Sequence, residues 1–216
     1  MSLFFDMQFI LFPYAVHTLS FEESSIAQKK WALYASGICA AKVLDAIRLS
    51  KRLRIDKISI KNRSGVIGLT LLPGRKDRNR DLPQDIKTLK EEGVNRVISL
   101  LTENEYSEYG VIEIKEVYKT EGLDPIFFPI LDQRIPDRKS LNELLEKIDK
   151  DLLSGKNVLI HCVGGLGRSG TIVAAYLILC SGYTVDEAIR TVREVRSERA
   201  IESIEQEEFL RNLTTS

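Results

Sequence analysis

The residues with the most chemical potential lie in one short segment, His161-Cys162-Val163-Gly164-Gly165-Leu166-Gly167-Arg168-Ser169-Gly170. A cysteine becomes a strong nucleophile as its thiolate, and an arginine six positions on can bind two oxygens of one phosphoryl group through its planar fork. Between them, Gly164, Gly165 and Gly167 let the backbone curl so that successive N–H groups converge on one point. Where such a curl opens onto a helix N-terminus it forms a nest for a dianion, and the same positive environment favours a thiolate at Cys162. Ser169 stands where its hydroxyl can donate to the sulfur when sulfur is the leaving group. The expected chemistry is attack by Cys162 on a phosphate ester held by Val163, Gly164, Gly165, Leu166, Gly167 and Arg168. Glycine-rich turns between strand and helix are common in themselves. This one neither completes a GxGxxG fingerprint nor supplies the Gly-Lys-Ser/Thr of a nucleotide-binding loop. The combination of nucleophile, anion nest and clamp carries the reading.

The flanking segments have the patterns needed to hold such a loop. Val158-Leu159-Ile160 is apolar without alternation, as in a strand buried on both faces. Ser169 to Cys180 is apolar on nearly every side and predicts a buried helix. Leu141, Leu144, Leu145, Ile148 and Leu152 predict an amphipathic helix, with Asp137 as its N-cap and Gly155 past its end. Thr184-Val185-Asp186-Glu187 has the form of a capping box opening another helix, and a last amphipathic helix is expected over 201–213. Upstream, strands are expected over 58–60, 66–72, 96–101 and 125–130, with a helix over 83–92 stopped by Gly93. This alternation predicts an α/β domain, a central mostly parallel sheet flanked by helices, over residues 56–216. Residues 1–55 read as a helical N-terminal extension, with apolar positions such as Ile26, Trp31, Tyr34, Ile38, Leu44 and Ile47.

Composition narrows the function classes. The 216 residues carry a formal net charge of zero, which points to no nucleic-acid partner. Three cysteines (Cys39, Cys162, Cys180) and two histidines suit neither a disulfide framework nor a structural zinc site; no metal or cofactor is expected, because the loop and Arg168 would supply the charge stabilisation themselves. Reduced cysteines fit a cytoplasmic location. The apolar N-terminus lacks a basic start, contains Asp6 and is cut by Pro13. The uncharged run from Trp31 to Ala41 has 11 residues, well below the roughly 20 that span a bilayer. A protein without a membrane span is expected; its oligomeric state and true start codon stay open. Between Arg48 and Arg80 there are eleven Lys/Arg and two acids. That basic strip suits either an acidic partner or a solvated face.

His-Cys-x5-Arg-Ser resembles the active-site motif of the protein tyrosine phosphatase superfamily. The fuller run HCVGGLGRSG is most similar to the kinase-associated phosphatase family of dual-specificity enzymes, which act on cyclin-dependent kinase. The likeness continues through Gly68-Leu69, Leu72-Pro73-Gly74 and Pro129-Ile130-Leu131-Asp132 and on to Gln206, leaving the first sixty or so residues outside it. The resemblance implies a protein tyrosine phosphatase-like fold, a phosphorylated protein as substrate, dual specificity, a phosphocysteine intermediate and no cofactor. It also points to Asp132 as the general acid, with Asp137 as the nearest competitor. Independently, Asp132 falls in a loop between apolar Pro129-Ile130 and the helix at Arg138. His161 reads either as a supporting residue that orients the loop and biases the thiolate or as a satisfied buried histidine. Gln206 reads either as a group near the site or as solvated helix surface. Cys180 is a poor redox partner for Cys162, because a helix from Ser169 would carry it about 16 Å away. Two rivals remain: a phosphatase for phosphoinositides or other non-protein esters, disfavoured by the absence of lysine inside the loop, and a phosphoprotein-binding module with little turnover.

Overall fold

The computed structural model describes residues 52–214 and Gly37; the expected helical extension over 1–55 therefore falls almost wholly outside the described residues. Five strands form one sheet: β1 Asp56–Ser59, β2 Val66–Thr70, β3 Val94–Ser99, β4 Pro125–Phe127 and β5 Asn157–His161. Their order across the sheet is β1-β2-β5-β3-β4, with β1 antiparallel to β2 and every other pair parallel. Seven α-helices flank it among the described residues: α1 Leu82–Glu91, α2 Glu103–Glu108, α3 Ile114–Thr120, α4 Arg138–Leu153, α5 Gly167–Ser181, α6 Val185–Val195 and α7 Ile204–Arg211.

Local sequence explains most boundaries. Asp81 caps α1 by accepting from the Gln84 amide at 3.2 Å, and Asp137 caps α4 by accepting from the Ser140 amide at 2.9 Å. Thr184 and Glu187 form the expected capping box of α6. The last helix starts later than 201, because Ile201 has φ +61° and cannot sit in a right-handed turn; Ser203 caps it instead. The strand expected over 125–130 ends at Phe127, although the Phe128 and Ile130 amides still donate to Ser99 and Leu100 carbonyls. Helices α2 and α3 lie in a stretch to which no element was assigned from the sequence.

Strand β5 is the spine. Its side chains alternate between two cores. Val158 and Ile160 pack with Leu141, Leu145 and Ile148 of α4 and Ile172 and Val173 of α5. Leu159 faces the other way, toward Leu89 of α1, Val97 and Tyr118 of α3. The chain passes from β2 to β3 through α1 on one face, then returns from β4 through α4 on the other to insert β5 between them. The carboxyl end of β5 is thus a topological switch point, where open α/β sheets leave a crevice for ligands. The segment 162–170 follows β5 directly.

Because Asp137 acts as an N-cap, Asp137→Ala should lower stability by about 1 kcal/mol. A shift of the urea midpoint at unchanged slope checks this.

Candidate active site

The loop after β5 curls as its glycines permit. Gly165 takes φ +70°, and a Cβ there would lie 2.2 Å from the Thr70 carbonyl oxygen, so no side chain fits. The Gly165 amide donates to Cys162 Sγ at 3.2 Å, and the Ser169 hydroxyl stands 3.4 Å from the same sulfur. Cys162 is buried shortly before α5, whose first-turn amides have no intrahelical acceptor. Among the described residues, the Gly164, Leu166 and Gly167 amides donate to no protein acceptor.

Arg168 is almost completely buried, at 1% exposure. Its Nη1 donates to Glu105 Oε2 and to the Ile130 carbonyl, both at 2.9 Å, and at 3.4 Å to the Leu100 carbonyl. Its Nη2 donates to Glu105 Oε1 at 2.7 Å. The Nε–H is buried and has no partner. A buried, unpaired guanidinium donor beside a cysteine fits a phosphoryl oxygen. Glu105 comes from α2, where the Thr102 amide also donates to its carboxylate at 2.8 Å. Burial pushes the Glu105 carboxyl up, but the Arg168 guanidinium and the Thr102 amide outweigh it and hold the group below its ordinary range.

Asp132 lies with its Oδ1 3.1 Å from Arg168 Nη2, and its side chain is 68% exposed. Its loop is bonded to the start of α7: Ser203 Oγ donates to the Gln133 carbonyl at 2.9 Å, and Gln206 Nε2 to the Arg134 carbonyl at 3.3 Å. Gln206 is fully buried against Gly167, so the solvated-surface reading of it is wrong. Asp137 is spent on its cap, accepting from both the amide and the hydroxyl of Ser140.

His161 is fully buried, and desolvation pushes it down to about 4. Its Nδ1 lies 3.3 Å from the Cys162 carbonyl, which can only accept, so Nδ1 carries the proton. Nε2 then accepts from the Tyr118 hydroxyl at 3.0 Å. A neutral ring orients the backbone at Cys162 and adds no positive charge beside its sulfur. Burial raises the Cys180 thiol to about 11, so it stays protonated and packs against the core. Cys39 lies outside the described residues.

The sequence reading, with the resemblance for Asp132, named residues that the structure brings together: Cys162, Arg168, Ser169, His161, Asp132 and the loop amides. It missed Glu105, Tyr118 and the bonds of Gln206. One signal was available: Thr102-Glu103-Asn104-Glu105 has the capping-box spacing that starts α2.

A family model described as cyclin-dependent kinase inhibitor 3 (CDKN3) matches residues 44–189. The chain belongs to that family. Rat cyclin-dependent kinase inhibitor 3 is 36% identical over 152 residues, covering 69% of this chain and 72% of the rat protein. The solved structure of kinase associated phosphatase, with serine replacing its catalytic-site cysteine, superposes with TM-score 0.72 at 31% identity, covering 76% of this chain and 95% of that one. A more distant likeness is to an Arabidopsis thaliana phosphatidylglycerophosphate phosphatase, 33% identical over 115 residues, or 53% of this chain and 33% of that protein. As a member of the family, the chain has a protein tyrosine phosphatase-like fold and is a phosphatase of the protein-tyrosine/dual-specificity class.

The buried histidine makes stability depend on pH. The unfolded chain protonates His161 near its ordinary 6.5, whereas the folded chain resists until about 4. Stability is therefore complete above the higher value and lost as pH falls between the two. From about pH 7.5 to about pH 5, wild type should lose about 2 kcal/mol more than His161→Asn. Urea denaturation of both proteins at the two pH values checks it; equal losses would contradict the neutral buried ring.

Proposed function

We propose that the chain removes phosphate from phosphoproteins of both phosphotyrosine and phosphoserine/threonine type through a phosphocysteine intermediate. The observation that supports this is Cys162 Sγ accepting from the Gly165 amide at 3.2 Å, in the same loop that leads to Arg168 with its buried, unpartnered Nε–H. In the first step Cys162 Sγ attacks phosphorus, the bond from phosphorus to the substrate oxygen breaks, and Asp132 protonates that oxygen. Arg168, through Nε, and the amides of residues 163–168 stabilise the charge on the equatorial oxygens. In the second step water attacks the phosphocysteine, giving its proton to the Asp132 carboxylate. The S–P bond breaks, and the Ser169 hydroxyl donates to the departing sulfur.

Asp132 reaches the site as a partner of Arg168 Nη2 at 3.1 Å. A phosphate dianion competes for that guanidinium, leaving the carboxyl group at the rim, where the leaving oxygen emerges. The likeness to kinase associated phosphatase supports a phosphorylated protein kinase as substrate. The likeness to a phosphatidylglycerophosphate phosphatase favours a second reading, a lipid phosphomonoester, but it covers only half of this chain. The five residues Val163 to Gly167 bring no cation to bind a second anionic group of a headgroup.

Purified protein should hydrolyse a small aryl phosphate, and Cys162→Ser should be inert. Asp132→Asn should slow turnover by about 10² or more, as loss of one acid–base group does. Asp137→Asn should leave turnover near wild type. An inactive wild type would favour a binding module, and a reversal of the two aspartate results would remove Asp132 from the mechanism. Phosphopeptide turnover far above that of phosphatidylglycerophosphate vesicles is expected, and the opposite order would establish the lipid reading.

A further inference from the structure

The loop's amides converge because its carbonyls are pulled outward, and two arginines do the pulling. Three successive carbonyls, those of Val163, Gly164 and Gly165, each accept from a guanidinium behind the loop. Arg75 Nη1 donates to the Val163 carbonyl at 2.9 Å, which also accepts from the Leu72 amide at 3.1 Å. Arg196 Nη2 donates to the Gly164 carbonyl at 3.2 Å, and its Nε to the Gly165 carbonyl at 2.9 Å. In a planar trans peptide the carbonyl of one residue and the N–H of the next point in opposite directions. Outward carbonyls at 163, 164 and 165 therefore turn the amides of Gly164, Gly165 and Leu166 inward. The Gly165 amide does so visibly, donating to Cys162 Sγ at 3.2 Å.

Each arginine is itself held. Arg196, following α6, has a side chain only 8% exposed, and its Nη1 donates to Asp56 Oδ2 of β1 at 2.6 Å. Arg75 is gripped by Asp77 at 2.5 and 2.8 Å and lies over the Tyr109 ring, 5.0 Å from its centroid. The Arg196–Asp56 pair joins positions 140 residues apart and ties the edge strand of the sheet to the phosphate loop. Gly165 has no side chain partly for this reason, since a Cβ there would lie 2.8 Å from Arg196 Nη2.

We propose that Arg196, anchored by Asp56, is a positioning residue for the reaction: it turns the Gly165 and Leu166 amides toward the phosphate without touching substrate. Arg75 plays the same part for the Gly164 amide. This rests on the phosphatase reading above. Lysine cannot replace Arg196, because a single ammonium lacks the planar fork that serves two carbonyls and a carboxylate together.

The test compares wild type with Arg196→Met, Arg196→Lys, Asp56→Asn and the Arg196→Met/Asp56→Asn double variant. Turnover of an aryl phosphate and its competitive inhibition by inorganic phosphate are measured. In Arg196→Met, kcat/KM should fall about 10²-fold, the cost of a misplaced loop. KM and the phosphate inhibition constant should rise together, each about tenfold, because the oxyanion donors themselves are disturbed. Arg196→Lys should resemble Arg196→Met. Asp56→Asn should weaken phosphate in the same direction, and the double variant should be no worse than Arg196→Met by more than about threefold, because Asp56 acts through the arginine. A merely structural role would lower the active fraction, and so kcat, with KM and the phosphate constant unmoved. That pattern overturns the proposal. If Arg196→Met does not fold, the same two constants in Arg196→Lys and Asp56→Asn decide the matter. A wild type that neither turns over aryl phosphate nor binds inorganic phosphate sinks the functional reading and this inference with it. Unchanged constants in the folded variants beside an active wild type overturn the inference alone.

Discussion

A guanidinium taken out of water must be surrounded by anions and carbonyls, because an unpaired buried charge costs several kcal/mol. Arg168 meets that demand with both oxygens of Glu105 and the Ile130 carbonyl, and with nothing on Nε. Four parts of the fold must agree for this to happen. Helix α2 supplies Glu105, the end of β3 leads to Leu100, the segment after β4 supplies Ile130, and α5 supplies the arginine itself. The guanidinium is therefore held in one orientation, which in the proposed reaction need not be selected when phosphate binds.

The loop obeys a second constraint of the same kind. Its inward amides need outward carbonyls, and outward carbonyls beside a buried sulfur need donors. Leu72, Arg75 and Arg196 provide them from the segment after β2, the turn that follows it and the residue after α6. The site thus sits at the carboxyl edge of the central strand with Arg168 at one end of the loop and Arg75 and Arg196 bonded to the loop's carbonyls. His161 contributes geometry rather than charge, since its ring stays neutral between Tyr118 and the Cys162 carbonyl.

What the sequence made legible was the local part. The residues proposed as nucleophile, clamp and anion nest fall within seven residues, Cys162 to Arg168, and strand and helix patterns on either side located them at the end of β5. Caps at Asp137 and Thr184 were readable for the same reason, since capping joins residues three apart. The supporting shell was not readable, because its bonds cross long separations. Glu105 meets Arg168 across 63 residues, Tyr118 meets His161 across 43, and Asp56 meets Arg196 across 140. Helices α2 and α3 are six and seven residues long, too short to show periodicity, and they carry two of those partners. Ile201 delays the start of the last helix through a positive φ that no pattern of apolar residues announces.

The most direct measurement is the ¹H–¹⁵N signal of the Arg168 Nε–H, assigned by its loss in Arg168→Lys, followed while inorganic phosphate is added. A buried Nε–H without an acceptor should exchange slowly with solvent and move strongly downfield as an oxyanion takes it, reaching half its full shift at the phosphate concentration equal to the inhibition constant for turnover. An Nε–H signal that stays in place while phosphate occupies the site would contradict the account of Arg168 as a preset clamp.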